Sequence, residues 1–319
     1  MRSLAESRRA FSALELAVSR RLAGTLYGAH QGVRLGPGSD PEEVVPYRPG
    51  EDDVRRIDWN VTARSTEPHV WRTRAEHEVE TWVLVDETAS MDFGTVEVEK
   101  GELAAWVTGA IGLLSDRPGN RLGVAHLGSD GVRWSPPLPP RRAAVRALSG
   151  RRPPSHPRGR TVPPTPVRAG LAGALSELDA RQRRRGARVV ISDFVEPDGQ
   201  MHRPFAWEVP LRRLAGRHDL LVVEVVDPRE LDLPDVGPVV LLDPETGHRC
   251  EVWTSLPKLR AGYAAAAAAH REAVATAVRA AGAEHVVLRT DRDWVTDLVR
   301  FVRQPRHRAP GHRPPRRER

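Results

Sequence analysis

Residues 82–90, Trp82-Val83-Leu84-Val85-Asp86-Glu87-Thr88-Ala89-Ser90, run from four consecutive apolar side chains into a carboxylate followed by hydroxyls at alternate positions. A short apolar run without polar alternation fits a strand buried on both faces, and such strands belong to parallel sheets covered by helices. The carboxylate then stands at the strand's carboxyl end, where open α/β sheets place their ligand sites. The segments that follow keep the pattern: a helix is predicted over 97–114, a strand over 122–127, a helix over 167–183, a strand over 188–192, a helix near Leu211 and a strand over 220–226. Strand and helix alternate, so the predicted fold class is α/β, a doubly wound, mostly parallel sheet.

Working outward, residues 1–80 read as an N-terminal extension with an amphipathic helix over 12–22, a glycine-rich stretch over 28–38 and a polar segment that reads poorly as core. Past the alternating region come small appended strands over 239–242 and 250–253. A long helix over 263–281 follows, opened by Ser255 or Pro257 and closed by Gly282, and then a strand over 285–288 leading to Trp294. The main domain is expected over 81–302 and a disordered basic tail over 303–319. A loop over 150–166, dense in Pro and Arg, has the length at which loops inside a domain are often functional.

At 319 residues and 39% apolar content the chain can bury one large core and a smaller appended unit. A single cysteine, Cys250, excludes an internal disulfide framework and any cysteine-rich metal cluster; it fits a reducing compartment, and cytoplasm is the expected location. No stretch approaches the roughly 18 consecutive apolar residues of a membrane helix, and charges interrupt the first residues throughout, unlike a signal peptide. The formal charge is +7, but the tail from Arg303 holds seven arginines and one glutamate, so the remainder is nearly neutral. Nucleic-acid contact would rest on that tail alone, which has no aromatic interleaving and no binding motif, and is not expected.

The chemistry gathers at two strand ends. Asp86, Thr88 and Ser90 can turn their oxygens toward one place, and Ile191-Ser192-Asp193-Phe194 puts a second carboxylate at the end of another apolar strand. If the two strands are neighbours, Asp86 and Asp193 converge. Each aspartate alone reads equally as a helix cap or turn former. Thr165, with Thr161 as the alternative, can add a hydroxyl from the loop. An oxygen-only set selects Mg2+, with Mn2+ or Ca2+ as alternatives, and argues against zinc. Neutral hydroxyl ligands leave the cation much of its charge and an open position that a carboxylate from another protein can fill.

A metal-dependent hydrolase or phosphotransferase is the competing reading of the same site. The haloacid dehalogenase pattern requires a second aspartate two places after Asp86, where Thr88 stands. His69, His77, His126 and His156 show no spacing that sets a general base beside the metal. The site is therefore read as one that binds and does not catalyse.

Asp86, Thr88, Ser90, Thr165 and Asp193 resemble the metal-ion-dependent adhesion site of von Willebrand factor A domains, with threonine in place of the first serine of Asp-x-Ser-x-Ser. Upstream, Tyr47-Arg48-Pro49-Gly50-Glu51-Asp52-Asp53-Val54-Arg55-Arg56-Ile57-Asp58-Trp59, followed by Thr62-Ala63-Arg64, resembles the signature of the bacterial family called domain of unknown function 58. Glu51 is one residue more than that signature carries. The matching positions are Tyr47, Arg48, Gly50, Asp53, Arg55, Asp58, Trp59 and Arg64, and the resemblance spans about 32–302. It implies a Rossmann-like sheet of von Willebrand factor A type and partnership with MoxR-type AAA+ ATPases in chaperone-like assembly or activation of other proteins. The membrane helices that many members carry near the amino terminus are not expected here. By its own chemistry the signature reads as a self-satisfied polar network, with Trp59 and Trp71 covering apolar surface beside the sheet.

Overall fold

A computed structural model describes residues 41–49, 54, 57–73, 79–96, 98–149, 170–196, 198–242 and 249–303. At the amino-terminal end, β1 (Pro41–Pro46) pairs antiparallel with β2 (His69–Thr73), and the single-turn helix α1 (Trp59–Thr62) lies between them in the chain. The main sheet contains β3 (Glu80–Asp86), β4 (Arg121–Gly128), β5 (Gly131–Leu138), β6 (Ala187–Ser192) and β7 (Asp219–Val226). A separate hairpin, β8 (Pro238–Leu242) with β9 (Arg249–Trp253), precedes the last strand of the main sheet, β10 (Glu284–Arg289).

The six strands lie in the order β10-β7-β6-β3-β4-β5, all parallel except the edge strand β5, which runs antiparallel to β4. Counted within this sheet alone, the order is that of the doubly wound fold, and the chain reverses direction of winding at β3 and β6. The pairing of those two strands runs from Trp82↔Arg188 to Val85↔Ile191, so Asp86 and Ser192 leave the sheet side by side.

Every residue of β3 after Glu80 is buried, which is what a strand covered on both faces requires. Alternate side chains enter opposite cores. Val83, Val85, Val189, Ile191, Val223 and Val225 meet α2 (Lys100–Leu114), α3 (Pro140–Ser149) and α8 (Trp294–Arg303) on one face. Trp82, Leu84, Val190 and Val222 meet α4 (Leu171–Arg181), α5 (Glu208–Arg217) and α7 (Pro257–Ala281) on the other. Each fully buried aliphatic side chain in these layers contributes about 1.5–3 kcal/mol. A further single turn, α6 (Pro228–Leu231), follows β7 and carries a capping box from Asp227 to Glu230.

The predicted α7 has the ends expected of it: Pro257 sits in its first turn and Gly282 stops it at φ 80°, donating its N–H to the carbonyls of Val278 and Arg279. Other elements differ from expectation. The helix predicted over 97–114 begins at Lys100, because Glu99 is still extended (φ −78°, ψ 153°) and serves as its N-cap. β5 and α3 were not predicted; β5 carries Pro136 and Pro137, which only an edge strand tolerates. Trp294 begins a helix of its own. Trp59 does not cover the sheet: it is 71% exposed, and no residue of the four-residue α1 is buried.

The predicted features over 1–40 and 150–166 lie outside the described residues, as do Thr161, Thr165, Gly50, Asp53, Arg55 and the tail beyond Arg303.

Candidate metal centre

Asp86 ends β3 with both carboxylate oxygens engaged. Its Oδ1 accepts the backbone N–H of Thr88 at 3.0 Å and the Thr88 hydroxyl at 2.7 Å, and its Oδ2 accepts the Ser192 hydroxyl at 2.7 Å. The turn-forming role and the convergent role of this aspartate are therefore the same geometry. Residues Ala89–Asp92 close into a 3-10 turn with Ser90 and Met91 buried, which keeps the Ser90 hydroxyl 3.2 Å from that of Thr88. Ser90 in turn hydrogen-bonds the carboxylate of Asp193. Two carboxylates from positions far apart in the chain are thus joined through a ladder of hydroxyls, and Asp86, Thr88, Ser90 and Asp193 are all buried.

Asp193 is aimed by an unusual backbone. The next residue, Phe194, has φ 57° in the left-handed region, a conformation that costs a residue with a Cβ about 1–3 kcal/mol. Packing holds it there: the Phe194 ring meets Trp207 edge-on at 5.0 Å, and Trp207 stacks on Phe205, also at 5.0 Å. The turn leaves the Val195 N–H 3.1 Å from Asp193 Oδ1 and the Phe194 N–H 3.0 Å from Ser192 Oγ. Asp193 Oδ2 accepts from the buried ammonium of Lys100 at 2.7 Å, and the same ammonium contacts Glu230.

The two carboxylates differ sharply in charge preference. Burial first, and then the neighbouring negative charge of Asp193, push Asp86 up to about 6 against the hydrogen bonds from Ser192 and Thr88. Burial acts on Asp193 in the same direction, yet the Lys100 ammonium, with hydrogen bonds from Lys100, Val195 and Ser90, holds it below the usual carboxylate range. Nearby, burial together with Asp198 and Asp86 raises Glu196 to about 7, and its Oε1 is buried with no hydrogen-bond partner among the described residues. The cluster is short of positive charge, and its donors are all oxygens, so the residues present fit a hard divalent cation. No three His, Cys, Asp or Glu side chains gather as a metal-holding group among the described residues, so hydroxyls are needed to complete any shell.

Ser192, Lys100 and Glu230 escaped sequence reasoning. Ser192 stands in the quoted Ile191-Ser192-Asp193-Phe194, and its place at the strand end was the available signal. Lys100 carries a positive charge in the first turn of a helix, where the macrodipole disfavours it; that misplaced charge was a sign of a special partner. Beside the centre, Glu87 accepts from Arg133 at 2.8 Å and lies 2.7 Å from His126 Nδ1, fixing the start of the turn to β4 and β5.

The described part of the upstream signature works within its own segment. Asp58 caps α1 by accepting from the N–H groups of Asn60 and Val61, and its own N–H bonds His69 of β2 at 2.8 Å. Tyr47 donates its N–H to Pro68 at 2.7 Å. Arg48 is exposed and Arg64 donates its N–H to Val61 at 3.0 Å.

Comparison with known proteins adds relatives and a family. A family model described as "Protein of unknown function DUF58" matches residues 43–273. Uncharacterized proteins of Mycobacterium bovis and Mycobacterium tuberculosis are 46% identical over 305 residues, covering 94% of this chain and 90% of theirs. Among solved structures, BatB from Bacteroides thetaiotaomicron is 15% identical, with a TM-score of 0.42 over 70% of this chain and 97% of its own. The SpRpn10 VWA domain is 14% identical, with a TM-score of 0.35 over 70% and 94%. The doubly wound α/β architecture itself is given by the strand order and register of the sheet.

Proposed function

The chain belongs to the family described as Protein of unknown function DUF58, and from that premise we propose that its strand-end centre holds one divalent cation, Mg2+ first and Mn2+ or Ca2+ as substitutes, and uses it to bind a protein partner. Asp86, Thr88, Ser90 and Asp193 hold the ion, with Thr165, or Thr161 in its place, supplied from the loop. The ion, when bound, provides an electrophilic position for an acidic side chain of the partner. The observation that carries this reading is the hydroxyl ladder Asp86–Thr88–Ser90–Asp193, which joins two buried carboxylates of unequal proton affinity.

The domain limits 1–80, 81–302 and 303–319 are part of this proposal, as is cytoplasmic location. No helix among the described residues is long and apolar enough to cross a membrane. A MoxR-type AAA+ ATPase is the proposed partner on the strength of the family resemblance, and the centre has no catalytic step in this reading.

The test is a pull-down from the native cell with the full chain in Mg2+, in chelator, and as Asp86→Ala in Mg2+. A partner that comes down only in the first condition supports the proposal, most directly if it is an AAA+ ATPase. Identical partners in all three conditions would overturn it.

A further inference from the structure

We propose that Lys100 is a resident cation of this centre: its ammonium shares Asp193 with the divalent ion, holds the site together when the ion is absent, and sets how tightly the ion is held. The inference rests on the metal-binding reading and adds to it a residue that neither the family match nor the adhesion-site resemblance assigns.

The position of Lys100 is costly. It is fully buried, and it stands in the first turn of α2, where the helix N-terminus is already positive. Two carboxylates make the site tolerable: Asp193 at 2.7 Å, itself fully buried, and Glu230, which is fixed from its other oxygen by the Asp227 N–H at 3.0 Å. A lysine needed only to fill space would be replaced by an apolar side chain at no loss, so the ammonium is present for its charge.

Asp193 is divided between two neighbours. Oδ2 accepts from Lys100, while the carboxylate also accepts from the Val195 N–H and from Ser90, which leads through Thr88 to Asp86. Any cation held between Asp86 and Asp193 therefore lies close to an ammonium that pulls on the same carboxylate. Asp86, Asp193 and Glu230, when ionised, outnumber Lys100 by two negative charges, and Glu196, near enough to feel the charge of Asp86, adds to that excess, which a divalent ion offsets. Neutralising Lys100 raises that excess, so it tightens the ion and weakens the empty site. Neutralising Glu230 lowers the excess and leaves Lys100 to Asp193 alone, so it loosens the ion.

The experiment is a calorimetric Mn2+ titration of the full chain as wild type, Lys100→Met and Glu230→Gln, with thermal melting of each in chelator and in Mn2+. Lys100→Met is expected to bind Mn2+ roughly tenfold tighter or more and Glu230→Gln several-fold weaker, as removing a like or an opposite unit charge within a few ångströms requires. In chelator Lys100→Met melts lowest, and Mn2+ raises its melting temperature more than that of the wild type. A purely structural lysine would instead make both variants bind more weakly, in step with lost stability. Wild-type uptake with unchanged or weaker binding by Lys100→Met would overturn this inference and leave the metal centre standing; no uptake by any of the three proteins would overturn both.

Discussion

Asp86 and Asp193 are the same amino acid in one buried cluster, and they answer protons in opposite ways because only Asp193 has an ammonium at 2.7 Å. In the proposed centre the ionised form of Asp86 is the one that takes a cation, so protons are expected to compete with the metal below about pH 6. Mn2+ titrations at pH 5, 6 and 7 are expected to show affinity falling by up to about tenfold per unit on the acid side and levelling above it. Stability follows the same shift with its own sign. A carboxyl raised in the fold stabilises fully below its unfolded value and loses that contribution as pH rises through the folded one. Asp86→Asn should therefore melt higher than wild type at pH 7.5 without metal, and should lack the rise in melting temperature that Mn2+ is expected to give the wild type. His218 acts in the other direction: both ring nitrogens are buried without partners among the described residues, and burial, with Arg188 next, pushes it down to about 4. Its neutral form suits the fold above about pH 6.5, and stability is lost as the unfolded chain takes up the proton on falling through 6.5 toward 4. Urea unfolding of His218→Leu and wild type at pH 7.5 and 4.5 is expected to show a smaller acid loss in the variant; equal losses would count against this role.

Among the elements, what the sequence made legible was what burial writes in large side chains. β3, β6 and β7 are apolar on both faces, and their two-faced burial is visible as unbroken runs such as Trp82-Val83-Leu84-Val85. α3 was not legible because its buried face is written mostly in small residues, Ala143, Ala144 and Ala147, with Leu148, among arginines. β5 was hidden by its prolines, and α8 by being read as the end of a strand. Glycine has one informative place in this layer. A Cβ on Gly123 of β4 would lie 2.7 Å from the Trp82 ring atoms across the strand pair, and Trp82 is itself held edge-on at 5.4 Å by Trp134. Gly123→Ala is expected to lower unfolding free energy by about 1–3 kcal/mol in urea titration, with Mn2+ affinity unchanged because the clash falls on Trp82 near the start of β3, at the opposite end of the strand from Asp86. A variant as stable as wild type would show that the indole moves aside freely.

Over the whole molecule, the site exists because the chain reverses its winding between β3 and β6, so that residues 86 and 193 emerge from adjacent strands. The sequence puts both carboxylates at strand ends, where ligand crevices lie in doubly wound sheets, but it makes their convergence conditional on the two strands being neighbours. The pairing of β3 with β6 supplies that condition. Glu230 was not legible, because it reaches the centre from the single turn α6 and no periodicity records which charged side chain a short helix turns inward, while Lys100 was marked by no more than its charge in the first turn of α2. The left-handed Phe194 was equally hidden, since its strain is sustained by Trp207 and Phe205, which are distant from it in the sheet-to-helix connection.

The most direct measurement is a crystal of the full chain grown with Mn2+ and examined by anomalous difference density. One peak per chain is expected within about 2.5 Å of oxygens from Asp86, Ser90 and Asp193. A map with no peak there, and with the Ser192–Asp86 and Lys100–Asp193 bonds unchanged, would contradict a metal centre at these strand ends.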